Sequence, residues 1–225
     1  DIPAFLKNIY AARSVTESQL ALSLPGLLKP NFDQLDVALN LLERAITENR
    51  RILIIGDFDA DGATASAVAI KALRMMGTKF VDFLVPNRFE HGYGLSPEIV
   101  NEAKKEKDPD IIITVDNGIS SIEGTSLARS LGIDVIITDH HLPPTILPDA
   151  NAIINPNLKG CKFPSKNLAG VGVCFYLFSA LKTHLEGINY FDKHNISVPD
   201  LREILDLVAL GTVADVVKLD QNNRI

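Results

Sequence analysis

Ile52-Leu53-Ile54-Ile55-Gly56-Asp57-Phe58-Asp59-Ala60-Asp61-Gly62 is the stretch on which the reading of this chain turns. A short apolar run bounded by glycine reads as a buried strand. It empties into three aspartates at alternate positions. Alternation in extended backbone places Asp57, Asp59 and Asp61 on one side. Two unit charges about 4 Å apart repel by roughly 4 kcal/mol at an effective dielectric of about 20. A divalent cation among the oxygens relieves that repulsion; so does protonation, or a carboxylate turned outward.

The same event recurs downstream. Ile111-Ile112-Ile113-Thr114-Val115 ends in Asp116-Asn117-Gly118, and Asp134-Val135-Ile136-Ile137-Thr138 ends in Asp139-His140-His141. Between them, Phe80 to Val85 runs into Pro86-Asn87-Arg88. Four apolar strands thus each deliver polar groups at the carboxyl end, where open α/β sheets bind their ligands. A single aspartate after a strand is an ordinary helix N-cap or turn residue. The repetition favours a metal site over that reading.

Helical patterns fill the gaps. Leu35, Leu39, Leu42 and Ile46 follow one face of a helix starting near Asn31 or Asp33. Ala63 to Met76 reads as a helix stopped by Gly77, and Ser96-Pro97-Glu98 opens another with Ser96 as N-cap. A helix is expected from about Ser121 to Leu131, strands at 135–138 and 152–154, then helices over Leu168–Leu185 and about Asp200–Leu210. This alternation predicts an α/β fold, a parallel β-sheet flanked by helices, with a helical C-terminal part from about residue 167. Residues 1–30, with one short helical pattern around Glu17 to Leu24, read as a docked N-terminal arm; residues 31–225 read as one catalytic domain. The end at Asn222-Asn223-Arg224-Ile225 reads as a truncation ahead of further C-terminal sequence.

The 225 residues are 46% hydrophobic and 22% charged, enough for a sizeable core. No apolar run approaches the roughly 20 residues that span a bilayer. Cys161 and Cys174 lack the spacing of a zinc site and suit a reducing compartment, so a cytoplasmic location is expected. The net charge of −6 argues against a broad basic face for duplex DNA, but leaves room for a narrow single-strand path.

Asp139-His140-His141 adds imidazole to the carboxylates, a mixed donor set that suits Mn or Mg. Together with Asp57-Phe58-Asp59-Ala60-Asp61-Gly62, Val115-Asp116-Asn117-Gly118 and Thr212-Val213-Ala214-Asp215-Val216, it resembles the four ordered motifs of the DHH phosphoesterase superfamily. The stretches Val85 to Leu95, Ile154-Asn155-Pro156-Asn157, Leu168 to Val173 and Leu207 to Val216 resemble its single-strand-specific exonuclease branch, across most of the chain from about residue 30. The resemblance implies a two-metal hydrolase of phosphodiester bonds, using Mn2+ or Mg2+. Its substrate would be single-stranded DNA, degraded 5′ to 3′ in DNA repair and recombination. By position it makes Asp59 and Asp61 metal ligands, Asp116 the bridge between ions, His140 a ligand, and Asp215 the completion of the second ion's shell. His141 would face the scissile phosphate, and Asp57 belongs to the catalytic motif. One departure stands out: many members carry a His where this chain has Ile55.

Arg88, on the same rim, is placed to hold a phosphate bidentately. Tyr93, between Gly92 and Gly94, is an aromatic suited to stack on a base. The alternative for each is an ordinary surface or packed residue. The glycines of Leu168 to Val173 suit either phosphate approach at a helix start or tight packing. The chain is expected to work as a monomer, without a membrane. Two other functions stay open: a small-substrate phosphatase acting on pyrophosphate, short oligonucleotides or nucleotide bisphosphates, and a non-catalytic α/β binding module. The acidic charge and abrupt end lead to the expectation that residues 1–225 alone are weak on DNA.

Overall fold

The computed structural model describes residues 2–20, 22–87 and 92–225. In chain order the elements are α1 (Ala4–Ala12), α2 (Leu35–Thr47), β1 (Ile52–Gly56), α3 (Ala60–Met75), β2 (Val81–Leu84), α4 (Pro97–Glu106), β3 (Ile111–Val115), α5 (Ile122–Ser130), β4 (Asp134–Thr138), β5 (Ala152–Ile154), α6 (Gly170–Gly187), α7 (Tyr190–His194), α8 (Leu205–Ala214) and α9 (Gln221–Arg224). Short 3-10 turns cover Glu17–Leu20, Leu24–Gly26 and Leu201–Ile204.

The five strands form one parallel sheet in the order β2-β1-β3-β4-β5. Every residue of β1 and β3 is buried, because helices cover both faces and leave no solvated side for a polar alternation. Successive residues divide between two cores. Ile52, Ile54, Ile111, Ile113 and Ile136 pack with α2, α3 and α6. Leu53, Ile55, Ile112, Val135 and Ile137 pack with α4 and α5. Ile55 is therefore a fully buried core residue. β2 is an edge strand, with Phe83 half exposed.

The expected strands lie within a residue of those seen; the helix ends differ more, and each difference has a cause. α3 starts at Ala60 rather than Ala63, because the Asp59 carboxylate accepts the Gly62 N–H (2.9 Å) and caps it. The three aspartates are thus not on one extended segment: Asp57 follows the strand, Asp59 caps the helix and Asp61 lies in its first turn. α4 starts as expected, with Ser96 accepting from the Ile99 N–H. α6 starts at Gly170 and runs to Gly187. The last expected helix is a 3-10 turn followed by α8, which runs on to Ala214, because Gly211 packs α8 against α3 instead of ending it. A Cβ at Gly211 would lie 2.3 Å from Thr64 Oγ1.

In the leading arm, α1 buries none of its residues. Further on, the Leu28 N–H donates to Asn222 Oδ1 (3.0 Å), tying the arm to α9. Among the described residues no helix is long and apolar enough to cross a membrane.

Candidate metal centre

Register brings the chemistry together before any side chain is considered. Gly56 pairs with Val115, Val115 with Thr138, and Thr138 with Ile154. The next residues, Asp57, Asp116, Asp139 and Asn155, therefore stand in one row at the carboxyl rim. The strand order reverses between β1 and β3, and such a reversal opens the crevice where α/β sheets hold ligands.

Helices then close on the row. Asp61 accepts the backbone N–H groups of Gly170 (2.6 Å) and Val171 (2.8 Å), so it caps α6 across 109 residues of sequence. Gly170 must be glycine: an added Cβ would sit 2.4 Å from Asp116 Oδ1. Tight packing is thus what the glycine at this helix start serves. Asp116 has a left-handed backbone (φ 62°), which turns its carboxylate back over the rim. Asp215 follows the last residue of α8 as its C-cap.

The result is a knot of carboxylates around one imidazole. His140 Nε2 lies 3.2 Å from Asp116 Oδ1, 3.5 Å from Asp215 Oδ2 and 3.9 Å from Asp61 Oδ2. None of these contacts is aligned as a hydrogen bond. His140 Nε2, Asp116 Oδ1 and Asp215 Oδ2 are all buried polar atoms without a partner. Three buried polar atoms without partners, converging on one point, fit a cation. The ligand atoms of Asp61, His140 and Asp215 lie within 4.8 Å of one another, as do those of Asp57, Asp59 and Asp116, and those of Asp116, His140 and His141. Asp116 and His140 each belong to two of these groups. The donor set, carboxylate oxygen with one imidazole, fits hard divalent cations such as Mn2+ or Mg2+.

Burial drives the titration of this cluster. It pushes Asp116 up to about 8, with Asp61 and Asp59 adding to the effect and His140 opposing it. Asp57, Asp61 and Asp215 are raised for the same first reason. These carboxylates lack charge compensation, which a bound cation would supply.

Asp139 behaves differently. Its oxygens are taken: Oδ1 by the N–H groups of His140 (2.7 Å) and His141 (3.0 Å) and by His141 Nδ1 (2.7 Å), Oδ2 by the Ile119 N–H (2.9 Å). Burial opposes its ionisation, but these bonds outweigh it and hold Asp139 below its ordinary value. The hydrogen bond to Asp139 lifts His141 to about 9. His141 is half exposed and faces the opening. The family sequence pattern marked the histidines; nothing local marked Asp139 as their partner.

Tyr93 is at the same opening. Its hydroxyl bonds to Asp57, its ring stands edge-on to His141 at 6.3 Å, and half of it is exposed. Arg88 lies outside the described residues. The structure therefore brings Asp57, Asp59, Asp61, Tyr93, Asp116, His140, His141 and Asp215 to one rim.

The chain is similar to known proteins in sequence and in fold. Residues 51–212 match the DHH family, N-terminal domain. The single-stranded-DNA-specific exonuclease RecJ of Escherichia coli (strain K12) is 55% identical over 227 residues, covering 100% of this chain and 39% of that protein. A crystal structure of exonuclease RecJ bound to manganese superposes with a TM-score of 0.71 at 34% identity, covering 87% of this chain and 47% of that one. RecJ in complex with Mn2+ from Thermus thermophilus gives a TM-score of 0.74 at 31% identity, covering 96% and 29%. The chain spans about two fifths of the length of the more similar curated relatives it matches, and less of the others.

Proposed function

This chain belongs to the DHH family, and from that premise we propose that it is the catalytic part of a metal-dependent exonuclease degrading single-stranded DNA from the 5′ end. The observation that carries the proposal is Asp116: buried, unpartnered at Oδ1, and shared by two groups of candidate ligands. Asp57, Asp59 and Asp116 would hold one divalent cation, and Asp61, Asp116, His140 and Asp215 the other. Asp61 would do so while capping α6. Bound Mn2+ or Mg2+ would supply a nucleophilic water at neutral pH and offset charge on the phosphate.

The chain's own residues then have definite tasks. Asp139 holds His141 protonated and oriented, and the imidazolium donates to a non-bridging oxygen of the scissile phosphate as charge builds there. Tyr93, anchored through its hydroxyl to Asp57, offers its ring to the terminal base. Arg88 would take a backbone phosphate.

The test is hydrolysis of a single-stranded oligonucleotide labelled at its 5′ end, with Mn2+, by this chain and by a protein of the relatives' full length. A labelled mononucleotide as first product is expected from the longer protein. Turnover of pyrophosphate or dinucleotides with no attack on long strands would overturn the substrate reading.

A further inference from the structure

Ile154-Asn155-Pro156-Asn157 has no part in the chemistry above, yet it is wired to both histidines. β5 is only three residues long. The Asp139 N–H still donates to the Ile154 carbonyl (3.1 Å), and there the backbone ladder ends. In parallel register the Asp139 carbonyl would next accept from residue 156, but Pro156 carries no N–H, so that rung is missing. Beyond it lie the carbonyls of His140 and His141. Side chains take over instead. Asn157 Nδ2 donates to the His140 carbonyl (2.5 Å) and Asn155 Nδ2 to the His141 carbonyl (2.9 Å). The turn presenting them is itself fixed. The Asn157 N–H donates to Asn155 Oδ1 (2.8 Å), an Asx turn, and Lys166 Nζ donates to the Pro156 carbonyl (2.6 Å) and to that of Cys161 (2.9 Å). Asn155 is almost wholly buried.

We infer that Asn155 and Asn157 are positioning residues: their side-chain amides extend the sheet past its last backbone rung and hold the two histidine peptides in place over Asp116. A peptide plane is rigid, so pinning the His140 carbonyl pins the Cα atoms of both histidines. The imidazole of His140 then stands 3.2 Å from Asp116 Oδ1 without searching. Bonds that orient a ligand in this way commonly change metal affinity by about 10–100-fold when removed.

The inference rests on the reading of His140 as a cation ligand, and its test separates the two. Mn2+ binding is measured by calorimetry on the 225-residue chain, with the melting temperature recorded in chelator. Asn157→Ala and Asn157→Asp are compared with Asn151→Ala. Asn151 bridges Val135 and Asp134 at the opposite rim, so it controls for stability alone. Asn157→Asp keeps the shape, loses the donor and adds a charge that by itself favours a cation. Mn2+ binding weaker by about 10–100-fold in both Asn157 variants, and within about twofold of wild type in Asn151→Ala, is the expected result. Unchanged affinity in the Asn157 variants, or an equal loss in Asn151→Ala, would overturn the inference while leaving the metal centre standing. No Mn2+ binding by the unaltered chain would sink the metal centre, and the inference with it.

Discussion

The two rims of the sheet carry similar numbers of aspartates and treat them in opposite ways. At the amino rim four of them have a basic partner. Arg50 meets Asp134 at 2.8 Å, Arg51 meets Asp108 at 2.8 Å and Asp110 at 3.5 Å, and Lys107 meets Asp82 at 2.7 Å. Asp82 and Asp108 are held below the ordinary carboxylate value, first by hydrogen bonds from Lys107 and Lys104 respectively. At the carboxyl rim the ion pairs of Asp61, Asp116, Asp139 and Asp215 among the described residues are all with histidine. Apart from Asp139, these carboxylates are raised by burial. One rim is neutralised by the chain's own lysines and arginines. The other has only histidines among its ion-pair partners, which accords with the proposed metal site.

The sharpest way to break this contrast is Asp116→Asn. It removes the shared ligand while keeping a residue that tolerates the left-handed backbone. Hydrolysis by an active protein should fall by about 10²–10³-fold or more, the scale of losing a main electrostatic contributor. The same substitution should raise the melting temperature of the metal-free chain at a pH of about 8.5, since it deletes an uncompensated buried charge. A lowered melting temperature would show that Asp116 is compensated from within.

Metal and pH come next. Asp116 has a folded value, about 8, above its unfolded one. Its stabilising contribution is therefore complete below the unfolded carboxylate range of about 4, and is lost as pH rises through about 8. His141, at about 9 when folded, acts in the same direction above its unfolded value of about 6.5. Melting in chelator should thus fall steadily from about pH 5.5 to about pH 9. Mn2+ at about 100 times its dissociation constant should add about 2.7 kcal/mol, or roughly 5–10 °C for a chain of this size. That gain should shrink toward the acid end, where protons compete for the ligands. Scanning calorimetry across this range decides it; a gain independent of pH would place the ion elsewhere.

The smallest functional effect belongs to the amino rim. Arg50→Ala strips a partly buried Asp134 of its partner and the Asp110 carbonyl of a donor. It should cost about 1.5–3 kcal/mol in chemical denaturation. Mn2+ affinity and hydrolysis should stay within about twofold of the unaltered chain. A loss of activity matching Asp116→Asn would mean that the rims are not independent.

How far the sequence reaches can be judged from particular residues. The strand at 111–115 was legible to the residue, because an apolar β-branched run buried on both faces needs no partner to be recognised. Gly211 misled, since a glycine in a helical pattern usually marks an end, and only the approach of α3 shows it as a packing position. Asp61 was legible as a site residue, but its bond to the N-terminus of α6 was not, because that partner lies 109 residues away. Asp215 had no local signature at all; family resemblance alone marked it, and the end of α8 delivers it to His140.

The amino-acid order alone therefore determined which segments become strands and which acids and imidazoles stand at their tips. Hydrophobic period and chain chemistry are local properties. Which of those acids converge on His140, which one bonds to His141, and which amides meet the histidine carbonyls were decided only by tertiary structure. Strand register and helix approach set the angstrom distances between groups far apart in sequence, and metal coordination depends on those distances.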